Sequence, residues 1–322
     1  MSRFGSTIGE ALGYYLDEKM RPRFDETRVS VLKYLTYQRL LNPHEADNIK
    51  VFIKQEPHKL SKLAEGRYRL ISAVSLIDTM TDRIMFGWLQ KKVMSTVCQT
   101  PVMVGWSPVA GGYRFLTQKF NKCRTRGLDK TAWDWTCGEW VMKSTLKVIH
   151  ELALNAPESW MRWTCKRWIA LFRDARFQFS DGTVVQQPGW GVMKSGCYLT
   201  IILNSIGQLL HHHLALQFCD SAPTNYVVLG DDVTLNDFLD FLIYAEIIRQ
   251  NGALLKPSEP TECIEFAGWA MSDHVVIPEY WQKHLYHITH VGPDLLPEVL
   301  EAYLILYAFD ENFNTWLRRT FA

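Results

Sequence analysis

The spacing of apolar residues predicts a chain that mixes helices with hairpins. Between positions 77 and 94 an apolar residue recurs every three or four positions, which predicts an amphipathic helix. The predicted buried face of this helix comprises Ile77, Met80, Ile84, Trp88 and Leu89. Similar periodicity predicts further helices over 139–153, 158–173, 196–218, 237–251 and from about residue 280 onward.

β-branched and aromatic residues on either side of Gly and Asp predict hairpins. These hairpins are predicted over 176–187, over 225–235, and between the segments 264–271 and 274–278. A further strand is predicted to run from residue 124 into Asp129. Because strands and helices do not alternate regularly, the pattern predicts an α+β fold.

Composition places the chain among ordinary globular proteins. Of its 322 residues, 47% are hydrophobic, 21% are charged and 13% are aromatic, so disorder is not expected as the main state. Seven scattered cysteines form no C-x-x-C pair, which argues against a disulfide framework or a zinc finger and suits a reducing cytosol. No signal-peptide pattern and no uncharged apolar stretch of transmembrane length is present, so we expect no transmembrane span.

Net charge alone gives no reason to expect a nucleic-acid partner, because it is only +1. The basic residues are nevertheless concentrated in two segments, 50–69 and 162–176. Such segments fit a phosphate-binding channel. A solvated helix face is the alternative, and charge alone favours it.

Two adjacent carboxylates occupy the turn of the second predicted hairpin. Four apolar residues lead into Gly230, Asp231 and Asp232, and an apolar strand follows. The two carboxylates repel each other, and a divalent cation would relieve that repulsion. Magnesium suits such a site because it binds few carboxylates together with substrate phosphates. Taken alone, the motif is weak evidence, since turns select Gly and Asp for their own reasons.

A second acidic element, Asp129 to Asp134, lies about a hundred residues upstream at the end of a predicted strand. Two-metal polymerases bring carboxylates from two strands around cations roughly 3.5–4 Å apart. Asp129 is therefore a candidate ligand beside Asp231 and Asp232. Asp134 could instead form a hydrogen bond to a ribose hydroxyl.

Between these acidic elements, Ser195 and Gly196 are predicted to open a helix that carries Thr200 and Asn204 on one face. Polar groups that face Asp134 could recognise a 2′-hydroxyl. The alternative is a Ser N-cap followed by a solvated face, and these residues alone favour it.

The first basic segment carries Lys54 and Lys62, and then Arg67 and Arg69, whose alternation places both guanidinium groups on one side of a predicted strand. Arginine suits bidentate phosphate binding, whereas lysine provides a point charge. We expect Glu56 to orient one of these cations.

The three consecutive histidines at 211–213 suggest a metal site at first sight. Successive helical residues point about 100° apart, so the three rings cannot converge on one ion. We expect a partly exposed helix end instead.

The order of these motifs resembles motifs F, A, B and C of RNA-dependent RNA polymerases of positive-strand RNA viruses. The matching patterns are K-x-E…R-x-R-L-I, D-x(4)-D, S-G-x(3)-T-x(3)-N and G-D-D. Gly252 to Lys256 is similar to motif D, and Glu265 to Gly268 is similar to motif E. The stretch FSDGTVVQQPGWGVMKSGCYLT is most similar to the sobemovirus, polerovirus and barnavirus group. The resemblance covers roughly residues 50–272.

The resemblance implies a right-hand polymerase with fingers, palm and thumb, an antiparallel palm sheet flanked by helices, and reduced fingertips and thumb. The implied subdomains are fingers at 1–76, palm at 77–149, a fingers insertion at 150–193, palm at 194–272 and a short thumb at 273–322.

The resemblance also implies a role for each candidate residue. Two Mg²⁺ ions, for which Mn²⁺ could substitute, would be bound mainly by Asp129 and Asp231, with Asp232 as an auxiliary ligand. Lys256 would be the general acid for pyrophosphate. The ribose would be recognised by Asp134, Ser195, Thr200 and Asn204, and the triphosphate by Lys54, Lys62, Arg67 and Arg69.

The partners implied are an RNA template, nascent RNA and NTPs, with other viral replication proteins or a protein primer as further candidates. The implied location is the host cytoplasm, at membrane-associated replication sites reached through partners. Two alternatives remain open: another palm-type polymerase such as a reverse transcriptase, and a catalytically inactive palm-fold RNA-binding protein. Asp134 with Asn204 favours an RNA product, and the three intact carboxylates favour an active enzyme.

Overall fold

The computed structural model describes Gly5 and residues 7–321. The ends of the predicted fingers and thumb segments, residues 1–4, 6 and 322, lie outside the described residues. The helices are α1 (Ile8–Leu12), α2 (Glu26–Leu41), α3 (Leu60–Ala64), α4 (Leu76–Ser95), α5 (Tyr113–Phe120), α6 (Trp133–Thr136), α7 (Glu139–Leu152), α8 (Glu158–Phe172), α9 (Thr200–Leu216), α10 (Phe241–Gln250), α11 (Trp281–His290), α12 (Leu296–Leu306) and α13 (Glu311–Phe321).

The strands are β1 (Tyr15–Leu16), β2 (Pro22–Arg23), β3 (Ile49–Ile53), β4 (Leu70–Ala73), β5 (Thr125–Leu128), β6 (Arg176–Gln178), β7 (Val184–Gln186), β8 (Tyr226–Leu229), β9 (Asp232–Asn236), β10 (Ile264–Phe266), β11 (Trp269–Met271) and β12 (Val276–Pro278). Among the described residues, no helix is both long and apolar enough to cross a membrane.

The chain divides into two compact units. The first contains the described residues up to Lys54 together with Arg69–Gln90 and Gly138–Thr200. The second contains Gln55–Tyr68, Lys91–Cys137 and the described residues from Ile201 onward. The subdivision into fingers, palm and thumb stays a prediction.

The first unit is built around a four-stranded sheet with the order β4-β3-β6-β7. Strand β3 pairs antiparallel with β4 and parallel with β6, and β6 and β7 form the predicted hairpin. Gly182 in its turn has a φ of 90°, a conformation that glycine adopts without strain. Ile49 and Val51 of β3 pack against Phe177 of β6 in the core of this sheet.

The second unit contains two antiparallel sheets, with the orders β5-β9-β8 and β10-β11-β12. Helix α5 contributes Leu116 and Phe120 to a core shared with Val227 of β8 and with Ile264 and Phe266 of β10. Helices α11, α12 and α13 enclose a separate apolar cluster around Tyr303 and Tyr307.

Helix α4 is present as predicted, but its predicted buried face is only partly right, since Leu89 is buried and Ile77 and Met80 are partly buried. Ile84 is 56% exposed and Trp88 is 36% exposed, whereas Asp78 and Asp82 are buried. Buried Arg167 of α8 explains the difference, because its guanidinium lies 2.8 Å from Asp78 and 2.7 Å from Asp82. Charged residues are buried when they are paired in this way, and the apolar period alone does not show it.

The last predicted hairpin is also wrong in detail. The segment 264–271 folds back on itself as β10 and β11, and β12 adds a third strand. Ala267 and Gly268 form the turn between β10 and β11, with φ of 52° and 77°. A two-residue turn with both φ values positive is typical of tight hairpins, but alanine is an unusual residue for the first position.

The prediction of a partly exposed helix end at the histidines is wrong for two of the three. His211 and His212 are buried within α9, whereas His213 is exposed. His212 shares a hydrogen bond of 3.0 Å with the hydroxyl of Tyr244 on α10. Burial lowers the pKa of His212 to about 4, so this ring is neutral at neutral pH.

Candidate active site

The acidic turn is formed by the sheet β5-β9-β8 of the second unit. Leu128 at the end of β5 pairs with Val233, and Leu229 at the end of β8 pairs with Asp232. Asp129 follows Leu128 directly, so the same register places it beside Asp232. Asp231 lies in the two-residue turn between β8 and β9. The structure therefore brings the three predicted carboxylates to one end of one sheet.

Gly230 shapes this turn and joins it to α9. Its φ of 65° lies in the left-handed region, where a side chain would be strained. Its backbone N–H donates a hydrogen bond of 2.9 Å to the hydroxyl of Ser205, which in turn donates to the carbonyl of Ile201. The position of the acidic turn is therefore fixed by α9.

Burial, and after it the neighbouring carboxylates, change the protonation of Asp232. Loss of solvent around its carboxyl group, together with the charges of Asp231, Asp129 and Glu279, raises the pKa of Asp232 to about 6. The residue as a whole is exposed, so a cation could reach the cluster. A divalent cation would remove this repulsion.

Lys256 already provides one positive charge at the site. Its ammonium forms an ion pair with Asp129, and its backbone N–H donates to the carbonyl of Asp129 at 2.9 Å. The two side chains are 53% and 64% exposed, and such a pair contributes only about 0–1 kcal/mol. Among the described residues, no three His, Cys, Asp or Glu side chains lie close enough together in this structure to hold a metal ion. The carboxylate set nevertheless fits a hard cation such as Mg²⁺, which could replace this weak ion pair.

Lys130 also lies at this site, although the sequence pattern does not predict it. It is buried, and its ammonium contacts the side-chain oxygen of Gln208 and lies 5.4 Å from the ring centre of Trp133. Burial lowers the pKa of Lys130 to about 7, against the opposing attraction of Asp231. Since successive strand residues point to opposite faces, an exposed Asp129 could have indicated a buried Lys130.

Asn204 is buried on α9 and binds the residue that precedes Asp134. The indole N–H of Trp133 donates a hydrogen bond of 2.9 Å to the side-chain oxygen of Asn204. Because an indole nitrogen can only donate, this bond assigns the amide oxygen to the Trp133 side. The NH₂ group is then the end of Asn204 that remains to donate elsewhere. Asp134 is partly exposed in α6.

Ser195 and Thr200 belong to the first unit, and their positions relative to helix α9 differ from those predicted. Helix α9 begins at Thr200, so Ser195 and Gly196 do not open it. Ser195 is instead bound to strand β4, because its hydroxyl accepts a hydrogen bond of 3.0 Å from the backbone N–H of Ser72 in that strand. A Cβ on Gly196 would lie 2.8 Å from the carbonyl oxygen of Ser72, so only glycine fits there. The hydroxyl of Thr200 donates to the carbonyl of Lys194 at 2.7 Å.

Two of the basic residues face each other in the first unit. The N–H of Lys54 donates to the carbonyl of Arg69 at 2.8 Å, which extends the β3–β4 pairing by one residue pair. Directly opposite side chains in such a ladder lie on the same face. Two like charges placed there repel each other, and an anion bound between them would be attracted by both.

The other basic residues are placed differently, in the second unit. Lys62 lies exposed in α3. Arg67 precedes β4 and pairs with Glu65 at 2.5 Å, so the prediction that Arg67 lies on a strand is wrong. The turn before β4 begins at the positive-φ residue Gly66, which explains why the strand starts later. Glu56 lies 3.5 Å from Lys283 of α11.

Comparison with known proteins gives consistent results. A family model described as "Viral RNA-dependent RNA polymerase" matches residues 43–255. The chain is 31% identical over 268 residues to the "Replicase polyprotein P2AB" of Southern cowpea mosaic virus, which covers 79% of this chain and 27% of that protein. It is 30% identical over 341 residues to "Protein P1-P2" of a Potato leafroll virus strain, with coverage of 91% and 29%.

Among solved structures, the chain resembles the "Sicinivirus 3Dpol RNA dependent RNA polymerase". The TM-score is 0.71 at 16% sequence identity, and the match covers 95% of this chain and 68% of that chain. At this identity the likeness establishes the fold. The predicted α+β, right-hand polymerase fold is therefore confirmed.

The chain belongs to the viral RNA-dependent RNA polymerase family. Polymerases of this family use divalent metal ions. The chain spans less than a third of the length of the two curated relatives described above.

Proposed function

We propose that this chain catalyses template-directed synthesis of RNA from NTPs, using Mg²⁺ bound by Asp129, Asp231 and Asp232. One observation carries the proposal: the register of β5, β9 and β8 brings three mutually repelling carboxylates to one end of a sheet. RNA template, nascent RNA and NTPs are the partners that this reaction requires. Its setting would be viral genome replication in the host cytoplasm.

Two bound magnesium ions would make the 3′-hydroxyl a better nucleophile and stabilise the leaving pyrophosphate. The residues of the chain would supply the remaining functions. Asp129 and Asp231 would be the main ligands and Asp232 an auxiliary one. Released from its ion pair with Asp129, Lys256 would donate a proton to pyrophosphate as the new bond forms.

Sugar recognition would come from Asn204 and Asp134. The bond from Trp133 occupies the amide oxygen of Asn204, which leaves its NH₂ group to donate to a ribose hydroxyl. Asp134 can only accept when ionised, and a hydroxyl that donates to it would complete the pair. A site built around a hydroxyl discriminates against a substrate that lacks one.

The remaining roles rest on the motif resemblance and stay predictions. They are ribose contacts for Ser195 and Thr200, triphosphate contacts for Lys54, Lys62, Arg67 and Arg69, and the five-part division into fingers, palm and thumb.

Replacing Asn204 with alanine is expected to lower the preference for ATP over dATP about tenfold, the value of one hydrogen bond of roughly 1.5 kcal/mol. The measurement is kcat/KM for both nucleotides; their ratio is unaffected by a smaller folded fraction. Exposed Gln250 on α10 provides the control variant, Gln250→Ala. An unchanged ratio in Asn204→Ala would remove Asn204 from sugar recognition.

Replacing Lys256 with leucine is expected to lower kcat about a hundredfold with little change in the KM for NTP, since general acids act on the chemical step. Lys256→Arg separates charge from proton transfer, because arginine does not release its proton at neutral pH. Lys91→Leu, at an exposed position of α4, is the control. Full activity in Lys256→Arg would leave only an electrostatic role for Lys256.

Template and nucleotide choice test the proposed function against a reverse transcriptase. The wild-type chain is offered poly(U) RNA and poly(dT) DNA, each with ATP or dATP. We expect incorporation of ATP on the RNA template above all other combinations. Preferred incorporation of dATP would assign the chain to DNA synthesis instead.

A further inference from the structure

Lys194 of the first unit is completely buried, and each of its three N–H donors has an acceptor. The ammonium donates to the side-chain oxygen of Gln187 at 2.5 Å, to the carbonyl of Val192 at 2.9 Å and to that of Gly191 at 3.3 Å. The rings of Phe172 and Phe177 lie 5.2 and 5.4 Å away. Burial of an ammonium is costly, and this complete set of acceptors and aromatic faces offsets the cost.

Gln187 is buried as well and binds the same segment from the other side. Its NH₂ group contacts the carbonyls of Phe172 at 2.8 Å, Gly189 at 2.6 Å and Gly191 at 3.0 Å. The backbone between Gln187 and Lys194 is therefore wound around these two side chains, which we name the Lys194–Gln187 clamp.

The clamp holds a strained residue. Val192 has a φ of 54°, in the left-handed region that β-branched residues rarely adopt. Such strain is unfavourable and persists only where the surroundings enforce it. Here the carbonyl of Val192 is held by the ammonium of Lys194.

The clamp continues directly into the segment that carries Ser195 and Thr200. The N–H of Ser195 donates to the hydroxyl of Ser72 at 2.9 Å, and the N–H of Gly196 donates to the carbonyl of Ser72 at 3.0 Å. The hydroxyl of Thr200 donates to the backbone carbonyl of Lys194 itself. A shift of Lys194 would therefore move both residues that the motif resemblance assigns to the ribose.

We propose that Lys194 is a positioning residue for sugar selection, which acts by fixing the backbone of residues 191–200 through the Lys194–Gln187 clamp. This inference rests on the polymerase function proposed above. An apolar side chain would fill the same volume without the cost of burying a charge, but it could not bind the three oxygens that the ammonium binds.

The test compares wild type with Lys194→Met, which keeps the length of the side chain and removes its donors. Hydrogen exchange is measured for the amides of 187–200, and kcat/KM is measured for ATP and dATP. We expect faster exchange in this segment, a loss of about 30-fold for ATP and a loss of no more than about threefold for dATP, since small displacements of positioning groups can cost up to about a hundredfold. Lys147→Met, at an exposed position of α7, is the control and should match wild type.

A second substitution tests the role of the strain. Glycine adopts positive φ without strain, so Lys194→Met combined with Val192→Gly should recover at least about threefold of the lost ATP activity. If Lys194→Met does not fold, Gln187→Met takes its place, since it leaves the ammonium of Lys194 two backbone acceptors. We then expect smaller changes of the same kind in hydrogen exchange and in kcat/KM for ATP.

Unchanged exchange over 187–200, or equal losses for ATP and dATP, would overturn the positioning role and leave Lys194 a purely structural residue. Failure of the proposed function is a separate result: wild type would then incorporate no nucleotide on any template. The exchange measurement would still decide whether the clamp fixes the segment.

Discussion

Asp231→Asn is expected to lower nucleotide incorporation at least about a thousandfold while the chain stays folded. The reason is the loss of a metal ligand, because a bound cation contributes several kcal/mol to the transition state and each 1.4 kcal/mol corresponds to about tenfold in rate. The measurement is incorporation of labelled ATP on poly(U), with circular dichroism as the check on folding. Exposed Asp294, between α11 and α12, provides the control variant Asp294→Asn, which should be fully active. Near-normal synthesis by folded Asp231→Asn would remove Asp231 from catalysis.

The same variant should be more stable than wild type when no metal is present. The pKa of Asp232 is raised from 3.8 to about 6, so the folded state favours the protonated carboxyl group. The contribution of Asp232 to the free energy of unfolding is therefore fully present below about pH 3.8 and is lost as the pH rises through 6. Asp231→Asn removes one of the repelling charges and lowers this pKa. At about pH 8 we expect a gain of ~1 kcal/mol or less, because the site is open to solvent, and no gain at about pH 3. Thermal unfolding in EDTA at the two pH values measures the difference; a gain at the low pH alone would contradict charge repulsion.

Arg69→Ala is expected to lower kcat/KM for NTP about ten- to a hundredfold, mainly by raising KM. A charge-assisted hydrogen bond contributes roughly 1.5–3 kcal/mol, and Arg69 lies opposite Lys54 across the β3–β4 ladder, where an anion would bind between two cations. Template affinity should change far less, because many cations share the phosphate contacts of a nucleic acid. The measurements are steady-state kinetics with ATP and a separate RNA-binding titration.

Exposed Arg83 on α4 gives the matched control, Arg83→Ala, which should alter neither quantity. A variant that loses RNA binding and keeps its KM for NTP would reassign Arg69 to the template path. A variant that changes neither would place Arg69 on a solvated face.

The strands around the acidic turn could be predicted from the sequence because their signals are local. Apolar residues on both sides of Gly230 and Asp231 define the hairpin, and a two-residue turn fixes its register. The pairing of β5 with β9, which places Asp129 beside Asp232, is not local. The sequence pattern predicts both strands but not that they pair.

Several of the errors share one physical cause, which is burial of polar groups by partners distant in sequence. Arg167 forms ion pairs with Asp78 and Asp82, so the face of α4 that carries these two carboxylates is buried although its sequence is polar. Ser72 binds Ser195 across 123 positions and holds the segment before Thr200 out of the helix. Lys130 is buried against Gln208 of α9. Periodicity along the chain carries no information about such pairs.

The proposed function requires the carboxylates at the end of β5, β9 and β8 to support RNA-templated synthesis with magnesium. The decisive measurement is incorporation of labelled ATP by the wild-type chain on poly(U), first with Mg²⁺ and then with excess EDTA. We expect poly(A) synthesis that requires both the template and Mg²⁺, is lost in EDTA and returns when Mg²⁺ is restored. Synthesis that continues unchanged in EDTA, or that takes place without a template, would contradict the proposed function.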